Sequence, residues 1–184
     1  MLMAIGVALG VGFGLSYLAL TDGRMFGASH IGPWAAWPDI GSPAPNPYTR
    51  AHLAREAMLP LGQAQGLRFT ATTDSAGEPL TRACSYAVTG RTPTANFWSL
   101  VAIDADGVNV AVPDGDLAIR SSRIARTNSG EIVIKVGTTL QPGNWLELTG
   151  TGPFSLVMTL YDTPVFSGLS SNQAMPRITR GECA

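Results

Sequence analysis

Residues 1–20 read MLMAIGVALGVGFGLSYLAL and contain no Asp, Glu, Lys, Arg or His. No other stretch constrains the chain as much. At a rise of about 1.5 Å per residue, twenty helical residues reach about 30 Å, the hydrocarbon thickness of a bilayer. A core helix of a water-exposed domain carries a polar face, and this stretch has none. Its polar members, Ser16 and Tyr17, stand near the far end, where Tyr suits a headgroup interface. The stretch predicts an N-terminal transmembrane helix, residues 1–20, acting as the membrane anchor. A cleaved signal peptide is the competing reading. Against it, no Lys or Arg precedes the apolar run, and bulky Tyr17 and Leu18 stand where a cleavage site wants small residues. Both readings direct the chain to a membrane. Gly6, Gly10 and Gly14 recur every four residues, a small-xxx-small face that makes a homo-oligomer through this helix a candidate partner arrangement.

The remainder is long enough for one domain with a real core. Net charge is −1, charged residues make up 14%, and Lys135 is the sole lysine. The basic stripe that neutralises phosphates is missing, so no nucleic-acid partner is expected. Residues 21–47 form a Gly/Pro-rich tether. Five prolines between Pro33 and Pro47 forbid a regular helix or a central strand there. Trp34 and Trp37 carry large apolar area and are expected to bury against the domain.

Residues 48–184 hold the domain. One helix is predicted over 47–59, where Ala51, Leu53, Ala54, Ala57 and Met58 make an apolar stripe and Pro60 stops it. From residue 67 onward the period is two. LRFTATT, CSYAVTG, NFWSLVAI, EIVIKV and PFSLVMTLY read as strands, with NFWSLVAI central. Asp/Gly turns punctuate them at Asp74–Gly77, Asp104–Gly107, Pro113–Asp116 and Asn128–Gly130. Ser121–Arg126 reads as a short helical turn. The fold class is mainly β: an antiparallel β-sandwich or jelly-roll-like domain with one or two short helices.

Motifs of known chemistry are absent. No GxSxG, HExxH, Walker loop or strand-borne GxGxxG occurs, and no cofactor is implied. His52 and Glu56 share a helix face, but two ligands do not make a metal site. Asp104, Asp106, Asp114 and Asp116 lack the ligand spacing and closing Glu of a calcium loop, and more simply bond their own turns. Cys84 and Cys183 form no CxxC. In an oxidising compartment they would close a loop worth about 4–5 kcal/mol on the chain-entropy model. The alternative is two unrelated thiols, one buried and one on a tail. The QPGNWL stretch draws attention, because Asn144 follows a Pro-Gly turn and Trp145 carries a large aromatic face. Tyr86, Trp98, Asn144, Trp145 and Tyr161 are the candidate ligand-binding residues, an aromatic platform for a small molecule or glycan. The same residues also read as core and corner positions.

Asn46-Pro47-Tyr48, Phe97-Trp98-Ser99-Leu100, Pro142-Gly143-Asn144-Trp145-Leu146, Leu160-Tyr161 and Pro176-Arg177-Ile178 ahead of Cys183 occur in that order. Together they resemble the bacterial family catalogued as domain of unknown function 1214, over roughly residues 32 to 183. The resemblance implies a mostly antiparallel β-sandwich in an exported or membrane-tethered setting. It brings no established activity and no catalytic residues. Gln65 stands where the family favours an acid, and Asn96 and Thr159 stand where it favours arginine. The expected setting is a bacterial inner membrane, crossed once, with the soluble domain in the periplasm. The expected role is a noncatalytic module for binding or structural organisation. The alternative is an enzyme on a small organic substrate or carbohydrate, using loop groups such as His52, Glu56, Arg91 and Asn144.

Overall fold

The computed structural model describes residues 1–22, 28–56, 61–62, 65–113, 115–163 and 174–183, with the side chains of the first helix described as far as Leu18. That helix, α1, spans Leu2–Asp22. Its described side chains are all exposed, including Phe13 at 73% and Leu15 at 64%, so it adds nothing to the domain core. Among the described residues no helix is long and apolar enough to cross a membrane. The expected transmembrane segment is thus a 21-residue helix that lies outside the domain core and touches α2, with Arg55 over the Tyr17 ring, and the membrane crossing itself is not shown; the last turn of the helix is described by backbone alone.

The predicted tether contains structure. Strands β1 (Ser29–Ile31) and β2 (Trp34–Ala36) form an antiparallel hairpin. Trp34 is fully buried, as its apolar area demands. Helix α2 covers Pro47–Glu56, and residues 57–59 of the expected helix, with the Pro60 that was to stop it, lie outside the described residues. Its start is fixed chemically. Asn46 Oδ1 accepts from the backbone N–H groups of Tyr48 and Thr49, each at 2.9 Å, and Pro47 needs no donor at the first helical position. Asp39 braces this cap by accepting from Asn46 N–H at 2.8 Å and from the Thr49 hydroxyl at 2.6 Å. Of the expected apolar stripe, Ala51 and Leu53 are half-buried, Ala54 is exposed, and Ala57 and Met58 are not described.

The remaining strands are β3 (Gly66–Ala71), β4 (Cys84–Gly90), β5 (Phe97–Ile103), β6 (Ile119–Arg120), β7 (Ile132–Gly137), β8 (Asn144–Glu147), β9 (Ser155–Tyr161) and β10 (Arg177–Cys183). One sheet runs β1-β2-β3-β9-β5-β6, the other β10-β4-β7-β8. A single core draws on both: Leu67, Phe69, Trp98, Leu100, Met158 and Leu160 from the first, and Tyr86, Val88, Ile132, Ile134 and Leu146 from the second. These alternate positions are what a period of two sends to one face.

Two expectations need correction. The second sheet is mixed, because β7 and β8 are parallel, with Ile134 opposite Asn144 and Gly137 opposite Glu147. Residues 138–143 need only carry the chain back along about three residues of strand, and Pro142 with Gly143 at φ 89° makes the return. Nor do residues 121–126 form a helical turn. A single turn bond from Arg123 N–H to Arg120 O leads into an isolated bridge from Arg126 to Ile132.

Candidate functional site

The sheets meet along two seams. Along one, the Trp34 indole N–H donates to Pro176 O at 2.7 Å, joining β2 to the approach to β10. Along the other, β6 lies against β8, each the outer strand of its sheet. Asn144 holds this second seam. Its Oδ1 accepts from Ala125 N–H at 2.8 Å, and its Nδ2 donates to Ala125 O at 2.8 Å and to Val133 O at 2.9 Å. One amide thus uses three of its bonding positions to fasten residues 119–126 to the second sheet.

Those residues form a ridge between two clefts. One cleft, about 360 Å³, is walled by Thr92, Asn96, Trp98, Ser122 and Arg126 among others. The other, about 200 Å³, is walled by Asp116, Arg120, Arg123, Asn144 and Trp145 among others. Arg120, Arg123 and Arg126 are all exposed, and no ion pair engages any of them among the described residues. Trp98 is 2% exposed and Trp145 half-buried, yet both indole Nε1 atoms are buried without a hydrogen-bond partner among the described residues. A third cleft, about 240 Å³, lies over β4 and β10 beside Tyr86, Lys135 and Arg180.

The five sequence candidates divide. Asn144 and Trp145 line one seam cleft and Trp98 the other. Tyr86 is a core residue: its hydroxyl accepts from Thr81 N–H at 2.9 Å, and its ring meets Phe154 edge-on at 5.7 Å. Tyr161 is half-buried against Phe97, with centroids 5.6 Å apart. The proposed aromatic platform is not assembled, since Tyr86 and Trp145 belong to one sheet, Trp98 and Tyr161 to the other, and Tyr86 and Trp98 are buried. The arginine ridge was missed. Its signal was legible in IRSSRIAR, where three arginines stand three apart with no acid between them.

Cys84 and Cys183 are joined by a disulfide across the paired strands β4 and β10. His52 stacks on Trp37 with ring centroids 4.4 Å apart. The Glu56 side chain and Asp114 lie outside the described residues. Asp104 Oδ1 accepts from Asp106 N–H and Val108 N–H, the bonding of a turn. Among the described residues no three His, Cys, Asp or Glu side chains group to hold a metal. None of the three clefts gathers His52, Arg91 and Asn144 together.

Gln65 and Asn96, where the resemblance expects charge, meet through Asp162. Asp162 N–H donates to Gln65 O at 3.1 Å, and the Asn96 amide Nδ2 bonds the Asp162 carboxylate. Asp162 holds a left-handed φ of 48°, a conformation that Asp tolerates better than most residues. Thr159 sits on β9 between Arg68 of β3 and Ser99 of β5.

A family model described as protein of unknown function (DUF1214) matches residues 65–165, from the turn before β3 to just beyond β9. The chain belongs to the DUF1214 family. The match takes in both seam clefts and leaves α1, the β1–β2 hairpin, α2 and β10 outside it. The crystal structure of the VPA0106 protein from Vibrio parahaemolyticus is similar, with a TM-score of 0.61 and 18% identity over 76% of this chain. An uncharacterised protein from Burkholderia cenocepacia gives a TM-score of 0.50 and 17% identity over 91% of this chain. At these identities the likeness concerns the fold. The DUF1214 chain spans 36% and 39% of the length of those two proteins. No curated protein matches it.

Proposed function

We propose that this DUF1214 protein is a single-pass envelope protein that displays a noncatalytic β-sandwich on the outer side of a bacterial inner membrane, for ligand binding or structural organisation. One observation carries the reading. Residues 1–20 carry no charged side chain, all but Met1 lie within the helix Leu2–Asp22, and apolar side chains such as Ile5, Val7, Phe13 and Leu15 turn outward instead of into the core. Each such side chain left in water forgoes about 1.5–3 kcal/mol of burial, which a bilayer would supply to the apolar residues of this helix. The Arg55 guanidinium lies 5.9 Å from the Tyr17 ring centroid, which suits the headgroup region. The disulfide suits the oxidising side of the membrane. A Cβ added at Gly6, Gly10 or Gly14 would meet nothing within 4 Å, leaving that face open to a second copy of the helix.

Binding is favoured over catalysis by the disposition of the loop groups. His52 is stacked on Trp37 and Asn144 is committed to backbone, so neither is poised beside a reacting atom. The test is alkaline carbonate extraction of membranes from expressing cells, with protease added to spheroplasts. Full-length chain that needs detergent for release, and whose domain is cut from outside, is the expected result. Full-length chain in the aqueous fraction overturns the reading, and a shortened soluble chain in the periplasm replaces the anchor with a cleaved signal.

A further inference from the structure

We infer that the seam between β6 and β8 binds a short acidic glycan, one whose sugar rings carry carboxylates. The inference deepens the binding reading above and does not depend on the anchor.

Charge is the first ground. Three of the twelve basic residues stand within seven positions, Arg120, Arg123 and Arg126, on a ridge that separates two clefts. Each guanidinium offers a planar fork of donors that matches a carboxylate. None is spent on an ion pair among the described residues; Arg126 makes only a long 3.4 Å bond to Gly130 O. Among the described residues, Asp116 is the one acid lining either cleft. Spaced cations on both sides of a ridge suit an anion repeated along a chain better than one isolated anion.

Position is the second ground. Asn144 clamps the ridge at Ala125, so the arginines are carried by backbone that is already held at both sheets. Less ordering entropy is then lost on binding.

The lining is the third. Thr92, Thr94 and Ser122 bring hydroxyls to the larger cleft as partners for sugar hydroxyls, while the Ser121 hydroxyl there already accepts from the Trp98 backbone N–H at 3.1 Å. Trp145 is half-buried in the smaller cleft, and its indole face suits a sugar ring. The indole N–H groups of Trp98 and Trp145 are buried with no acceptor among the described residues, so they stand behind the cleft walls as reporters of a ligand seated there and not as its contacts. The chain has one lysine and a net charge of −1, which argues against a long phosphate backbone as the natural ligand.

The experiment uses the full chain in detergent micelles with ¹⁵N-labelled tryptophan. The four indole signals are assigned by single Trp→Phe variants. Tetragalacturonate is titrated in, beside neutral cellotetraose and inorganic phosphate. The expected result is saturable movement of the Trp98 and Trp145 signals with tetragalacturonate alone. The Trp34 signal, fixed on Pro176, stays in place and reports an intact fold. The triple variant Arg120→Ala, Arg123→Ala, Arg126→Ala is expected to weaken binding by about tenfold or more, as loss of charge-assisted bonds requires. Should the triple variant lose the Trp34 signal, Arg123→Ala alone is expected to give a smaller loss in the same direction. The inference is overturned if neither signal moves, if cellotetraose or phosphate acts equally well, or if binding survives loss of the arginines unchanged. Failure here with successful membrane extraction removes the ligand assignment and leaves the anchor standing.

Discussion

Two turns in this domain share one local design and differ in what surrounds them. Asp74-Ser75-Ala76-Gly77 and Asp104-Ala105-Asp106-Gly107 each begin with an Asp whose Oδ1 accepts two backbone N–H groups, two and four residues on. Each ends in a glycine at positive φ, 93° and 78°, where a side chain would strain the backbone. The Asp104 turn stands largely alone. The Asp74 turn is tied to β10: the second oxygen of Asp74 accepts from Arg180 Nε at 3.1 Å, and Ile178 N–H donates to the Ser75 hydroxyl at 3.0 Å. Asp74 is only 3% exposed, whereas the side chain of Arg180 is 31% exposed. The lesson is that local chemistry selects the turn, while long-range partners decide what the turn is worth.

Substitutions at these turns and at the ties on β10 separate local from long-range contributions. The largest effect is expected from removing the other tie on β10. Replacing Cys84 and Cys183 by Ser opens a closure between residues 99 apart and is expected to cost about 3–5 kcal/mol in thermal or urea unfolding. An unchanged midpoint in oxidised material would show that β10 is held by its other contacts. Next, Asp74→Ala removes two turn bonds and a partly screened ion pair. A loss of about 2–3 kcal/mol is expected, together with faster hydrogen exchange along β10. Asp104→Ala removes the same two turn bonds at an open site and should cost about 1 kcal/mol, with β10 exchange unaltered. Equal losses from the two aspartates would refute the distinction drawn between the turns. The smallest effect is expected from Trp98→Phe, which deletes a buried indole N–H. Because that N–H has no acceptor among the described residues, cavity cost and relieved polar burial oppose each other, and the net change is expected within about 1 kcal/mol by urea unfolding.

The long strands were legible because each alternates against one core. Leu67, Phe69 and Ala71, or Ile132, Ile134 and Val136, announce their face by period alone. Strands β1, β2 and β6 are two or three residues long, too short to show a period. Strand β10 reads Arg-Ile-Thr-Arg-Gly-Glu-Cys with one fully buried residue, Ile178, and is held by a disulfide and an ion pair that no local pattern reveals. Strand β8 was hidden behind its own Pro-Gly turn, and its parallel pairing rests on the brevity of the 138–143 return. At the site, the Pro-Gly turn pointed to Asn144 and Trp145 as candidate ligand residues, and both line one seam cleft. Asn144 is a clamp on the ridge, and the cations it positions lie some twenty residues earlier in the chain. Burial of Tyr86 and Trp98 removed the platform, because an aromatic residue with a core position available takes it.

The Cys84–Cys183 disulfide locks β10 to β4, and the proposed location outside the cytoplasm requires that pair to be oxidised in the cell. The direct measurement is non-reducing peptide mapping by mass spectrometry of protein taken from cells alkylated at the moment of lysis. A cross-linked peptide joining Cys84 to Cys183 is the predicted result. Two separately alkylated cysteines would contradict both the lock and the compartment.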